Sequence, residues 1–220
     1  MNPIPDAVES FARAVGPDPG PVVAEMDAKA EREGFPTVGP AVGGWLRFLA
    51  RTVGARRVFE FGSGFGYSAV WFAGALPEDG LVVLTEVDEV ELEEAREFLA
   101  RAGYADRAAF ELGDAIDTVE RYGGSFDCVL VDNEKERYTE AFEAVREKVA
   151  PGGLVLADNA VTAGPIEFEA LEPLLRGESV DTTEATEGIA EYLRTVRADS
   201  AFETVLLPVG EGVAVSRRTR

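Results

Sequence analysis

The chain has no histidine, one cysteine and only three lysines in 220 residues. Without imidazole there is no Ser-His-Asp or Cys-His catalysis and no ordinary zinc site. Any metal must be held by oxygen, which suits magnesium, calcium or manganese. The lone Cys128 lies in an apolar run, the setting of a small core residue rather than a nucleophile or half of a disulfide. No apolar run approaches the length of a membrane span. The start, Met1-Asn2-Pro3-Ile4-Pro5-Asp6, has neither the basic residues nor the apolar stretch of a secretory signal, so a cytoplasmic protein is expected.

What is present is acid. The net charge is −20, and arginine supplies all the basic residues except Lys29, Lys135 and Lys148. An acidic, lysine-poor surface fits a protein from a salt-rich cytoplasm, where ions screen the self-repulsion of the folded state. A hydrophobic content of 46% excludes disorder for the body of the chain. The length suits one domain over 1–220, with an N-terminal helical cover at 1–52 and a sheet core at 57–220.

Strand and helix signals alternate through that core. Strand-like runs fall at 57–61, 81–85, 108–112, 126–131 and 154–157, with helical patterns at 68–76, 89–102, 115–122 and 136–149 between them. Such alternation predicts an α/β protein with a mostly parallel sheet. Pro151-Gly152-Gly153 reads as punctuation before the fifth strand. The tail departs from the pattern: a helix at 186–197 leads into strands 202–207 and 213–216, a C-terminal antiparallel hairpin closing one edge of a seven-stranded sheet.

The first strand ends in Glu60-Phe61-Gly62-Ser63-Gly64-Phe65-Gly66-Tyr67-Ser68. Glycines there admit a ligand close to the backbone, and the new helix offers free N–H groups. A dinucleotide fingerprint needs a sixth-position glycine, where this chain has Tyr67. The E-x-G-x-G-x-G pattern instead resembles motif I of class I S-adenosylmethionine (SAM) methyltransferases.

Ligands of open α/β sheets sit beyond the carboxyl ends of the strands. After the second strand Glu86, 24 residues past Gly62, suits the two hydroxyls of a ribose. After the third come Asp114 and Ala115, placed to meet an adenine, or with Asp114 capping the next helix. Asp132, Asp158 and Asn159 follow the fourth and fifth strands. They form an oxygen set for magnesium, or a pair that caps a turn. Lys135 follows Asp132 by three residues. A dication nearby would favour its neutral form and leave it able to take a proton; otherwise it is a surface lysine at a helix start.

Taken together, these motifs resemble the cation-dependent O-methyltransferases of the catechol and caffeoyl-coenzyme A type, from about Phe35 to the hairpin. Phe35-Pro36-Thr37-Val38-Gly39-Pro40 resembles the segment that contacts the methionine end of SAM. The 126–132 run with Lys135 and Tyr138 resembles the fourth-strand signature, and 151–159 with Gly164 the fifth. The resemblance implies a Rossmann-like class I methyltransferase fold with helices on both faces. Its implied SAM contacts are Val38, Glu60, Gly62, Ser63, Gly64, Ser68, Glu86, Asp114, Ala115 and Asp132, with Glu60 and Ser68 on the amino-acid portion. It implies magnesium, or another divalent cation, at Asp132, Asp158 and Asn159, and Lys135 as general base. The acceptor expected is a hydroxyl of a catechol-like small molecule. The alternative is a hydroxylated uridine in tRNA, since some relatives modify tRNA; a charge of −20 argues against a nucleic-acid partner. Arg194, Arg197 and the Arg217–Arg220 tail are the residues that would serve one. A homodimer is a family-level expectation. Departures fall on the acceptor side: Asn133-Glu134 replace Ala-Asp, the aromatic after Asp158-Asn159 is missing, and Ala190 and Leu193 stand where relatives carry Arg and Asn.

Overall fold

The computed structural model describes residues 3–220; Met1 and Asn2, part of the N-terminal reading above, lie outside the described residues. Three helices come first: α1 (Asp6–Val15), α2 (Gly20–Glu33) and α3 (Gly39–Thr52). The alternating part follows as β1 (Arg57–Phe61), α4 (Tyr67–Ala73), β2 (Leu81–Glu86), α5 (Glu89–Arg101), β3 (Ala108–Leu112), α6 (Ala115–Arg121) and β4 (Phe126–Val131). It continues with α7 (Tyr138–Val145), β5 (Val149–Ala157), α8 (Phe168–Leu175) and α9 (Glu184–Ala198), and ends in β6 (Phe202–Leu207) and β7 (Val213–Arg218).

The seven strands form one sheet in the order β3-β2-β1-β4-β5-β7-β6. β1 to β5 pair in parallel, whereas β7 runs antiparallel to β5 and β6 antiparallel to β7. The expected α/β sheet with a closing hairpin is therefore the observed one. Its physical basis is two-sided burial, which removes the need for polar alternation. Val58, Val82, Leu84, Cys128, Leu130, Leu154 and Leu156 pack in one core with α2 to α5. Phe59, Phe61, Val83, Val129, Val131, Val155 and Ala157 pack in the other with α7, α8 and α9. Successive residues of each strand thus serve opposite faces. Cys128 is fully buried, and burial pushes its thiol far up, as a core residue requires.

Three elements differ from the sequence reading. The fifth strand begins at Val149 and takes in Pro151-Gly152-Gly153, which had read as punctuation. Between the pairs Phe126↔Val149 and Cys128↔Leu154, β4 advances two residues while β5 advances five. The proline and glycines occupy that bulge, where a missing donor and a flexible backbone are tolerated. The helix expected over 136–149 is a turn at Lys135–Arg137, then α7, then a turn at Arg146–Lys148. Finally, α8 was not anticipated; Pro173 within it weakens the helical signal.

The tail helix reaches the strand ends. α9 packs against the Lys135–Arg137 turn. A Cβ added at Gly188 would lie 2.5 Å from the Lys135 carbonyl oxygen, so only glycine permits this approach.

Candidate active site

Parallel strands ending in register bring their successors side by side. Asp132 N–H donates to the Phe61 carbonyl (2.9 Å), and Asp158 N–H to the Val131 carbonyl (3.1 Å). Above them, where the chain winds outward from β1 to β2 and from β4 to β5, lies a crevice made of two adjoining cavities. One, of about 430 Å³, holds Val38, Ser63, Gly64, Ser68, Lys135, Asp158 and Asn159 on its walls. The other, of about 340 Å³, is walled by Gly113, Asp114 and Ala115. Gly62, Glu86 and Asp132 border both.

The structure thus brings every sequence-predicted site residue except Glu60 to the crevice. Glu60 is fully buried beneath the glycine turn and lines neither cavity. Burial pushes its carboxyl up to about 8; the Ser68 hydroxyl opposes the shift and Asp132 adds to it. Neither carboxylate oxygen of Glu60 has a well-formed hydrogen-bond partner. The turn itself is built on glycine. Gly62 has φ +78°, and a Cβ there would lie 2.7 Å from the Asp132 carbonyl oxygen.

On the β1–β3 side Glu86 and Asp114, unlike the buried Glu60, are satisfied. Glu86 Oε2 accepts from Gly64 N–H (2.8 Å), and Oε1 from the N–H groups of Val87 (2.7 Å) and Asp88 (3.1 Å). Asp114 Oδ1 caps α6, accepting from Ile116 N–H (2.7 Å) and Asp117 N–H (3.4 Å). Its Oδ2 accepts from Arg137 Nη1 (2.6 Å), so the capping role is realised and a cation sits beside the predicted adenine end. The Arg137 guanidinium holds the Asp114 carboxyl below its ordinary range, aided by the two backbone donors against partial burial.

On the β4–β5 side they are not. Asp158 is 3% exposed, and its Oδ1 is buried with no partner. Burial, then the neighbouring Asp132, drives its carboxyl far above the ordinary range; the Asn159 N–H and Lys135 oppose this only in part. Asp132 shifts the same way through burial, against Lys135. Lys135 Nζ donates to Asp132 Oδ1 (3.2 Å), the Asn133 carbonyl (3.1 Å) and Tyr138 Oη (2.9 Å). Tyr138, fully buried, donates in turn to the Asp158 carbonyl (3.1 Å).

Among the described residues no three Asp, Glu or Cys side chains converge closely enough to hold a metal by themselves. The donor set here is two carboxylates and the Asn159 amide. An orphaned buried carboxylate oxygen beside a second carboxylate is an environment that a divalent cation would neutralise, so these residues fit one.

Two participants escaped the sequence reading. Tyr138 enters the sequence reading only within the fourth-strand signature; its spacing of three from Lys135 is the available signal. Glu211, between two glycines in the β6–β7 turn, accepts a hydrogen bond from Asn159 Nδ2 across 52 positions of sequence and lines the larger cavity. The Ala190 and Leu193 positions behave differently from expectation. Both are buried in the α9 core rather than on the crevice, so they bear on packing there.

This fold and crevice define a methyltransferase class, and comparison with known proteins narrows it. A model of the O-methyltransferase family matches residues 23–219. A catechol O-methyltransferase of Niastella koreensis is 32% identical over 184 residues, covering 80% of this chain and 83% of that protein. Caffeoyl-CoA O-methyltransferase 1 of Eucalyptus globulus is 29% identical, covering 80% and 72%. Among solved structures, the O-methyltransferase TomG of Streptomyces achromogenes in complex with SAM superposes with a TM-score of 0.82 at 25% identity, covering 97% and 96%. The O-methyltransferase of Bacillus cereus in complex with SAH gives 0.81 at 25%, covering 96% and 97%. The chain belongs to the O-methyltransferase family, a family of SAM-dependent enzymes.

Proposed function

We propose that this enzyme moves the methyl group of SAM to a hydroxyl oxygen of a catechol-like small molecule, with a divalent cation, by our reading magnesium, at Asp132, Asp158 and Asn159. The observation that carries the reading is the unpartnered Oδ1 of Asp158 beside Asp132, with Lys135 at the same wall of the crevice. The curated relatives named for catechol and caffeoyl-CoA support the acceptor class.

The residues divide the work. The glycine turn and Glu86 bind the donor, with Glu86 facing its ribose and Asp114 and Ala115 its adenine. Glu60, Ser68 and Val38 serve the amino-acid end; a donor ammonium would give the buried Glu60 carboxylate the partner it lacks. When bound, the cation would make an acceptor hydroxyl more acidic and hold it in place. In its neutral form, which a bound cation would favour, Lys135 takes the hydroxyl proton at Nζ, and Tyr138 and Asp132 fix where that nitrogen stands. The acceptor oxygen forms its bond to the methyl carbon as the carbon–sulfur bond breaks, releasing S-adenosylhomocysteine. Alignment of the two reactants supplies much of the rate.

The tRNA reading draws little support. Arg218, within the basic tail, donates to the carbonyls of Arg146, Glu147 and Val149 and is thereby committed to the fold. The whole chain is read as one catalytic domain. No helix among the described residues is long and apolar enough to cross a membrane. For the homodimer expectation, exposed Phe11 and Val15 on α1 and Phe48 on α3, two helices packed together, are the candidate face.

The test uses methyl-labelled SAM, magnesium and molar KCl, the salt suited to a charge of −20. A haloarchaeal extract freed of its own SAM supplies acceptors, and RNA is separated from small molecules afterwards. Enzyme-dependent label among small molecules, lost with EDTA and regained with magnesium, is the expected result. Label in RNA would overturn the acceptor class, and full activity in EDTA would remove the cation.

A further inference from the structure

Asn159 is the only non-glycine residue with positive φ among the described residues, at +55°. Asparagine tolerates that conformation, and such residues persist where surrounding structure holds them. Here the β6–β7 turn does so. Ala160 N–H donates to the Gly212 carbonyl (2.8 Å), and the N–H groups of Val161 (3.1 Å) and Thr162 (3.0 Å) donate to the Glu211 carbonyl. The Glu211 side chain adds a fourth link, accepting from Asn159 Nδ2. Its backbone and its carboxylate therefore perform separable tasks.

The separate task of the carboxylate is chemical. An amide has one face that donates and one that accepts, and the two are nearly alike in shape. A cation requires the oxygen. A carboxylate has only acceptors to offer, so it takes the amide nitrogen and leaves the oxygen for the other side. Asn159 and Glu211 both line the cavity that holds Asp132 and Asp158. Glu211 takes the nitrogen of Asn159 and forms no three-carboxylate cluster with Asp132 and Asp158, so it stands behind the amide.

We propose that Glu211 is a positioning residue of the cation site, whose carboxylate fixes the Asn159 amide so that its oxygen serves as the third ligand. This rests on the cation reading given above.

The test is the affinity of the full chain for Mn2+ alone, in molar KCl without SAM or acceptor, read from the electron paramagnetic resonance signal of free Mn2+. Wild type is expected to bind one equivalent saturably, and Asp158→Ala to lose binding. Glu211→Gln, nearly isosteric, should weaken binding about 10- to 100-fold, the usual consequence of losing a partner that orients a ligand. Glu211→Asp keeps the charge but shortens the reach, and should weaken binding comparably. The deciding comparison is made in an Asn159→Asp background, where both side-chain atoms are oxygen and orientation no longer matters. There, Glu211→Gln should not weaken binding. Equal weakening in both backgrounds would mean simple charge attraction and overturn the proposal, as would unchanged affinity in Glu211→Gln. Absence of saturable Mn2+ binding by wild type would overturn the cation reading itself, and this inference with it. Retained binding of S-adenosylhomocysteine by each variant shows that the fold is intact.

Discussion

The two halves of the crevice treat their acids in opposite ways. Over β1 to β3, Glu86 and Asp114 are saturated by backbone N–H groups and, for Asp114, by Arg137. Over β4 and β5, Asp158 keeps an orphaned oxygen, and Asp132 leans on Lys135 alone. Apart from the buried Glu60, the acids of the first half are paired without a ligand and offer a preformed cradle. The second is incomplete, and its crowded, partly unpaired carboxyls are a cost that the fold carries for function. Preorganisation suits a donor recognised through neutral hydroxyls and ring nitrogens, while unpaired carboxyl oxygens suit a cation.

Substitutions can break this contrast. The largest effect is expected at Lys135→Ala, with kcat falling about 10²- to 10⁴-fold, the range for losing a general base. SAM affinity measured by calorimetry should be unchanged; an equal loss of SAM binding would assign Lys135 to the cradle instead. Next is stability without ligands. Asp158→Asn should abolish turnover yet raise the melting temperature, since an unsatisfied buried acid costs roughly 1–3 kcal/mol. A lower melting temperature would show that the acid is structurally satisfied. The opposite sign is expected across the crevice. Asp114→Ala removes a helix cap worth about 1 kcal/mol, a drop of about 2–4 °C for a chain of this size.

The smallest effect is a slope. The Glu60 carboxyl is raised from 4.5 to about 8, so the folded protein holds a proton that the unfolded chain releases first. Stability of the ligand-free protein should therefore fall as pH rises between those values, with no further loss from this group above them. Glu60→Gln should flatten that part of a melting-temperature profile. A parallel profile for the variant would place the titration elsewhere.

Much of this was legible because it is local. Strands buried on both faces write themselves as apolar runs, and the acids that end them are their immediate successors. The start of β5 was missed because a bulge hides strand pairing behind Pro151-Gly152-Gly153, which spells a turn to any short-range reading. Asp114 offered two roles in sequence, and its cap on α6 is local; its pairing with Arg137, 23 positions away, was not legible there. Glu211 was invisible for the same reason, since only the antiparallel return of β7 beside β5 brings it to Asn159. Glu60 was correctly seen beside the glycine turn, but strand alternation sends its side chain inward.

The contact between Gly188 and the Lys135 carbonyl sets how the tail of the chain can vary. Where most helices meet through side chains that can trade volume with one another, α9 meets this turn with bare backbone. No compensating neighbour exists for a methyl group added there, because the atom it would strike is itself main chain. The position of the lysine nitrogen is thus specified in part by an empty space 53 residues further along the chain. The gain of a single carbon at this point of the tail helix would therefore be felt at the reaction centre.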